Sequence, residues 1–581
     1  LILYITLRHT LATTSEVHCM LDQKTGGMLT LLRMVALLVQ PLRLTHAAMP
    51  ARTWRGRRIP NRHRGSIPAR SLRAPTSVKT ATTAASSTFA ADPMDFVDEN
   101  RVDLLIKAVY AWYYVRFGNV PMCVKEMYLS HIKAWNSFTE KCDSLHNPTM
   151  STHGDDCVPK RSAADFLAAF HRTIDSIATH GFNSSITRIP AIRKEGRIFA
   201  LNGAHRIAAA IATNRTVTME LVQRPHKPGV AWPFFVCRGL SCEHAMDAAR
   251  EWIAFDPAAA LVVIHPRAVA YGQATRDAMA ILKKCSISGI LFQRDVHFTQ
   301  RGYGNLLRHL YGFEEWMTFP DKHVPTYQAK ATQQSESELS RVPARFVLIR
   351  LANLRDAVDC KLRIRNHYAE RIHFKPFKAS VHIGDTHEQH LMLANMVFNQ
   401  NSIRLMNYAR GLDECRGISS LLARSLRAAS VRTPASAEGM VNLPDSIIVD
   451  SGAAMAIWGL RKRTDIDVVG LWNEFDANAV RPAAQVHHFA PQLGRGRPWG
   501  KEHLRANTTA LDLVFNQQNF GWCHGVKVMG LEQLEYYKTR RGEKGKDDQD
   551  VALIRSQLKM LSGTASTAQL AESTCSASCR P

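Results

Sequence analysis

The chain has no Cys-x-x-Cys pair, no internal repeat and no uninterrupted apolar run of the roughly 20 residues that a bilayer span needs. Zinc ribbons and fingers, solenoids and helical membrane spans are therefore set aside at the outset. The longest apolar stretch, Leu29–Leu44, is broken by Arg33 and Arg43. The closest of the twelve cysteines are Cys237/Cys242 and Cys575/Cys579, a spacing without a disulfide framework, and they read as reduced, mostly buried thiols in a reducing compartment. Acidic residues are missing altogether from residues 51–91, which hold eight Arg and one Lys. As a result the first 91 residues carry +11 of the net charge of +24, and the remaining +13 is spread thinly over the rest of the chain. A charge so localised is no argument for a nucleic-acid substrate.

What is present is ordinary globular sequence. With 581 residues, 45% hydrophobic and 21% charged, there is material for two to four domains, each with its own core. Residues 1–93 are expected to be a disordered leader. From Met49 onward this leader is rich in Arg, Ser, Thr and Ala, the composition of an organelle transit peptide, with Met49 as its start. That reading implies a chloroplast or mitochondrion; an untranslated or disordered leader implies the cytoplasm. Residues 94–324 begin with helical periodicity over Arg101–Phe117 and Val124–Lys141, a polar loop over 143–161, and an amphipathic helix over 162–180 that Gly181 terminates. A polar linker over 325–343 precedes a small α/β unit at 344–430. Residues 440–558 form the last domain, and 559–581 a low-complexity tail. The fold class is α/β (α+β) and multidomain.

The most informative segment is IIVDSGAAMAIWGLRKRTDIDVV, residues 447–469. A β-rich run turns at Ser451-Gly452 into a helix of good formers, and a strand over 465–471 follows. On that strand Asp465 and Asp467 are two residues apart, which sends both carboxylates to one face about 6.5–7 Å apart. Carboxylates so placed suit divalent ions such as Mg²⁺ or Mn²⁺, and a small-residue turn at a helix N-terminus presents backbone N–H groups to phosphate. Taken alone, each part has a plainer reading, a chance Asp-x-Asp or an ordinary helix cap. Together, strand, Ser-Gly, helix and Asp-x-Asp resemble the DNA polymerase β-like nucleotidyltransferase superfamily, although that family reads Gly-Ser where Ser451-Gly452 stands.

The resemblance implies a mixed-sheet domain in which Asp465 and Asp467 hold the metal against an NTP. A third carboxylate on a later strand would help to deprotonate an acceptor hydroxyl, and Asp512 in TALDLVF fits that place. Ser451, Gly452 and Arg461 would contact the nucleotide. The closing segment GVKVMGLEQLEYYKTRRGEKGKDDQDVALI resembles the family's last strand and basic helix, with Lys538 and Arg541 able to face phosphates and Lys546, Asp547 and Asp550 after them. The same residues also read as a salt-bridged helix end.

A second constellation lies at RIPAIRKEGRIFALNGAHRIAAAIATNRTVTMELV: strand, turn, strand, then Asn202-Gly203-Ala204-His205-Arg206 opening an Ala-rich helix. Backbone N–H groups, an imidazole and a guanidinium fork so close together suit an anion. The segment resembles the ParB/sulfiredoxin-like fold, with Asn202 where Asp is common and no cysteine in the motif. It implies a phosphate site at Asn202, Gly203, His205 and Arg206. In the middle unit, His382, Asp385, His387, Glu388 and His390 have the density of a metal site, but Asp385 or Thr386 followed by Glu388 is also how a helix is capped, and capping is the favoured reading.

The expected function is metal-dependent transfer of a nucleotidyl group from an NTP to a hydroxyl acceptor: a small molecule, sugar, RNA end or protein. The alternatives are a nucleotide- or nucleic-acid-binding protein with a degenerate transferase site, and a kinase or nucleotide hydrolase run from the ParB-like domain. The oligomeric state is open.

Overall fold

The computed structural model describes residues 87–136, 162–185, 188–194, 196–223, 231–311, 342–372, 380–429, 446–463, 465–471, 485–489 and 502–568. The expected loop at 143–161 and the linker at 325–341 lie outside the described residues. Among the described residues three sheets organise the fold, giving a mixed α/β architecture.

The first sheet holds β1 (Thr88–Ala91), β2 (Ile189–Lys194), β3 (Arg197–Ala200) and β4 (Val217–Leu221) in the order β1-β4-β2-β3. Its helices are α1 (Val102–Phe117), α2 (Met122–Asn136), α3 (Ala163–His180) and α4 (Ala204–Ala212). α3 begins and ends where its sequence says it should. Ser162 and Asp165 form a reciprocal capping box at its start, and Gly181 closes it at φ 76°. β1 corrects the extent of the leader: Thr88–Ala91 pairs antiparallel with Val217–Glu220, so the folded chain begins inside the segment assigned to the leader. A run poor in acids and rich in Ser, Thr and Ala suits an edge strand as well as a transit peptide.

The second sheet draws on both sides of the expected linker. Helix α5 (Cys242–Phe255) leads into β5 (Ala259–Ile264). Then come α6 (Gly272–Cys285), β6 (Ile290–Val296), α7 (Gln300–Tyr311), β7 (Ala344–Arg350), α8 (Asp356–Ile372), β8 (Val381–Ile383), α9 (His387–Val397), α10 (Gln400–Tyr408) and α11 (Leu412–Ala429). The order is β6-β7-β5-β8, antiparallel throughout. The strand that opens the 344–430 unit thus lies between two strands of the preceding segment, and the sheet crosses the boundary drawn there. Burial explains this: all six residues of β5 are buried, so the strand needs a neighbour on each edge and a layer on each face. Leu261 and Val263 face the main core, while Ala260, Val262 and Ile264 face a second cluster with Ala278, Leu282 and Ile364 of α6 and α8. Arg345 binds Asp295 through two 2.8 Å bonds across the β6–β7 pair.

The third sheet comprises β9 (Ile447–Asp450), β10 (Asp467–Leu471), β11 (Gln485–Phe489), β12 (Phe520–Cys523) and β13 (Val526–Met529), in the order β11-β10-β9-β13-β12. It is mixed: β9 runs antiparallel to β10 and parallel to β13. Its helices are α12 (Ser451–Trp458), α13 (Ala510–Phe515), α14 (Leu531–Arg541) and α15 (Lys546–Ala568). α15 corrects the tail, because the helix continues to Ala568 and buries Ile554 and Leu561. Among the described residues no helix is long and apolar enough to cross a membrane.

The second and third sheets are stitched together by short polar side chains on α10 and just before it. Asn399 Nδ2 donates to the Phe520 carbonyl at 3.0 Å, Asn401 Nδ2 donates to that of Gln518 at 2.9 Å, and Ser402 Oγ accepts from Trp522 N–H at 2.7 Å. Cysteines join elements too, which corrects the expectation of reduced thiols throughout. Disulfides link Cys285 to Cys360 and Cys415 to Cys523, with Cα atoms 6.1 and 6.3 Å apart.

Gly521 is where α10 meets β12. A Cβ there would lie 2.8 Å from the Asn401 carbonyl carbon and 2.9 Å from its oxygen. Gly521→Ala should therefore destabilise the chain by about 1–3 kcal/mol, read as a lowered midpoint in denaturant unfolding; an unchanged midpoint would show that this approach is looser than described.

Candidate functional site

The site grows from a sharp strand-to-helix turn. β9 is apolar and buried until Asp450, whose Oδ1 accepts from the Ser451 N–H and caps α12. Ser451 takes φ 51°, a left-handed conformation that side chains other than glycine adopt at a cost. Gly452 follows in the first turn. A Cβ on Gly452 would lie 2.9 Å from Arg461 Nη2 and 3.3 Å from Asp465 Oδ1, so the absence of a side chain lets a guanidinium and a carboxylate settle against the start of the helix.

Asp465 is exposed and precedes the strand; Asp467, half-buried, is its first residue. The antiparallel register sets Asp467 directly opposite Asp450, so these two side chains project from the same face of the sheet. Three carboxylates and the small-residue turn thereby share one end of the β9–β10 pair.

Behind the turn runs a chain of opposite charges. Arg461 Nε lies 3.1 Å from Asp550 Oδ1. Lys538 Nζ, 1% exposed, stands 2.8 Å from Asp550 Oδ2 and 3.2 Å from Asp547 Oδ1. Arg541 Nε donates to Asp547 Oδ2 at 2.8 Å. Burial pushes the Asp547 carboxyl up, but the Arg541 hydrogen bond, the Glu543 N–H and the charge of Lys538 outweigh it and bring it down to about 2. Arg541 also donates to the Tyr537 hydroxyl at 3.1 Å, and that hydroxyl hydrogen-bonds Ser451. The Tyr537 ring stacks on His503 with centroids 3.9 Å apart, and His503 Nε2 is 2.6 Å from Asp450 Oδ2. Burial, with the nearby charge of Asp450, pushes the Tyr537 phenol up to about 12. The ring of contacts closes where it began, at the Asp450–Ser451 turn.

No family model matches this chain, and neither a curated protein nor a solved structure does. The residues alone must carry the reading.

The structure gathers Ser451, Gly452, Arg461, Asp465 and Asp467 at one place. It corrects the placing of Asp512. TALDLVF is not a strand but helix α13, in which Asp512 is the third residue and forms a capping box with Thr509. Its Oδ2 accepts from Thr509 N and Oγ1 at 2.7 and 2.8 Å, and its Oδ1 accepts from the N–H of Met122 at the start of α2. Thr-x-x-Asp is a capping signature, and it prevails over the apolar flanks that read as a strand. Lys538 and Arg541, expected at phosphates, are committed to Asp547 and Asp550 instead. His503 and Tyr537 were not anticipated, because nothing in the sequence marks them. Asp450 carried a signal in its place directly before the Ser-Gly turn.

In the first sheet, Asn202 Oδ1 accepts from the Gly203 N–H at 2.7 Å, Gly203 adopts φ 80° as the cap of α4, and a Cβ there would lie 3.4 Å from Arg206 Nη2. His205 Nε2 is 2.9 Å from the Tyr128 hydroxyl, and its ring meets Phe170 edge-on at 4.7 Å. The middle cluster is a cap, as favoured. Thr386 Oγ1 accepts from Gln389 N–H, Asp385 pairs with Lys361 at 2.8 Å, and His390 Nδ1 accepts from Leu261 N–H at 3.1 Å.

Two outcomes test the charge chain. Lys538→Met leaves two buried carboxylates without their shared cation and should cost about 3–5 kcal/mol in denaturant unfolding. Because Asp547 is held below its ordinary value of 3.8, its stabilisation is full above that pH and is lost as pH falls toward about 2. Asp547→Asn should therefore flatten acid unfolding in that window, and an unaltered acid limb would remove Asp547 from the account.

Proposed function

We propose that the β9–α12–β10 turn binds a nucleoside triphosphate with Mg²⁺ or Mn²⁺ and transfers its nucleotidyl group to a hydroxyl acceptor. The observation that carries this reading is the meeting of Gly452, Arg461 and Asp465 at the first turn of α12, with Asp467 beginning the adjacent strand. The donor set is made of carboxylate oxygens, which suit hard divalent cations rather than soft ones, and Asp465 and Asp467 are both open to solvent at least in part.

In this reading Asp465 and Asp467 hold the ion, which when bound neutralises phosphate charge and orients the triphosphate. Gly452, having no side chain, lets Arg461 and Asp465 lie against the first turn of α12, where backbone N–H groups and the helix dipole favour phosphate. Arg461 adds a guanidinium beside them, and Asp550 holds that guanidinium in place from behind. Asp450 and His503 keep the turn rigid from below. The acceptor class stays open among small molecule, sugar, RNA end and protein.

A second reading has an observation of its own. With Asp512 spent on helix capping and Lys538 and Arg541 spent on acids, the turn has fewer groups for chemistry than for binding, which favours a nucleotide-binding protein with a degenerate transferase site.

Incubating the full chain with Mg²⁺ and each NTP in turn separates the two. Pyrophosphate release that falls at least 100-fold in Asp465→Ala/Asp467→Ala is the expected result, on the scale of losing a metal-held transition state. Metal-dependent nucleotide binding without pyrophosphate release would establish the second reading, and the absence of metal-dependent binding would sink both.

A further inference from the structure

A different cluster lies on the far edge of the third sheet, independent of the nucleotide reading. β12 ends in Cys523, and the turn into β13 begins with His524, which takes φ 45°. α7 brings His309 against this turn, and the two imidazole rings stack with centroids 3.9 Å apart. Single ligand atoms of His309, Cys523 and His524 all lie within 4.8 Å of one another. α11 supplies Cys415, whose sulfur is already bonded to that of Cys523.

The histidine orientation is what turns this cluster from packing into a site. His309 Nδ1 is 2.7 Å from the Asn305 carbonyl one helical turn back, which makes Nδ1 the protonated nitrogen. Nε2 is then a lone-pair donor, and it is buried with no hydrogen-bond partner. Leaving such an atom unsatisfied is costly. A ligating histidine has this same arrangement: one nitrogen donated to a backbone carbonyl, which sets tautomer and ring plane, and the other aimed at the ion. Ser419 Oγ, which donates to the His524 carbonyl at 2.6 Å, fixes the turn from the α11 side.

We propose that, in the reduced chain, Cys415, Cys523, His309 and His524 form a tetrahedral Zn²⁺ site. Two thiolates and two neutral imidazoles are a recurrent structural zinc set, and they leave the bound ion without net charge. Bonds of about 2.0–2.3 Å would bring the ligand atoms to about 3.3–3.8 Å apart, a contraction of at most roughly 1.5 Å for His309, Cys523 and His524, while the two sulfurs separate from bonding distance. Half-exposed His524 is the point of entry. The chemistry balances simply. A dithiol reductant opens the Cys415–Cys523 disulfide and leaves as its own cyclic disulfide; the two thiols then each lose a proton to solvent as zinc binds. Disulfide and zinc are mutually exclusive states of one site: the disulfide ties α11 to the end of β12, and zinc would add α7 through His309.

Cobalt(II), whose spectrum reports ligand type, is the probe. The full chain, reduced with dithiol and stripped with a chelator, should take up one equivalent of Co²⁺. Thiolate-to-cobalt charge transfer and the intense visible bands of tetrahedral cobalt should appear, and added Zn²⁺ should abolish both. The oxidised wild-type chain should show neither until dithiol is added, an arm that needs no variant. Cys523→Ser should lose the charge-transfer band, and His309→Ala should weaken Co²⁺ binding at least ~10-fold, with circular dichroism reporting that each variant is folded. No cobalt uptake by the reduced chain, octahedral spectra without charge transfer, or bands unchanged in Cys523→Ser would each overturn the proposal.

Discussion

The candidate site rests on the line of alternating charges that runs Arg541, Asp547, Lys538, Asp550, Arg461. Its two carboxylates and its central ammonium are almost wholly buried, and groups of that kind are tolerated in a protein interior only when each has its partner. The consequence is positional. Arg461 belongs to the loop between α12 and β10, while Asp547 and Asp550 belong to the final helix, so the ion pairs lock the last helix onto the loop that carries Asp465. Gly452 completes the arrangement by having no side chain where the guanidinium lies. Tyr537 and His503 extend the line to Asp450, so the strand-to-helix turn is gripped from both ends.

Around that line the molecule is built by sharing. The second sheet takes strands from either side of a long polar segment because β5, buried on both faces, demands two neighbours. Helix α10 and the residues before it then act as a seam: Asn399, Asn401 and Ser402 satisfy backbone groups of the 517–522 segment that no strand reaches. Asp512 works in the same way, capping the start of α13 while holding the start of α2 from the first sheet's helices. Short polar side chains that complete other elements' hydrogen bonds do here what linkers do in looser multidomain chains.

Local structure was largely legible. The turn from β9 into α12, the helix bounded by Ser162 and Gly181, the cap before His387 and the strand-then-basic-helix of the closing segment all follow from signals within a few residues of one another. The misreadings share one cause. Asp512 in TALDLVF offered two local patterns, an apolar strand and a Thr-x-x-Asp cap, and only the packing of α2 against α13 decides between them. The segment that holds β1 and the end of the last helix were assigned by composition, which does not register that β4 offers an unpaired edge or that Ile554 and Leu561 find a core. Tyr128, far away in sequence, holds the His205 imidazole through Nε2, a contact no local pattern announces.

The order of the elements around the strand-to-helix turn, the nearness of Ser451-Gly452 to Asp465 and Asp467, and the caps that start and stop the helices follow from the residues alone, because they depend on contacts within one or two turns of chain. Which charges meet is set by the folded packing instead. Arg461 and Asp550, Asp450 and His503, Asp512 and Met122, and His309 with Cys523 and His524 lie dozens to hundreds of residues apart. Their meeting is set by how three sheets bury their faces, and the pairing of a buried charge is a property of that burial rather than of any local pattern.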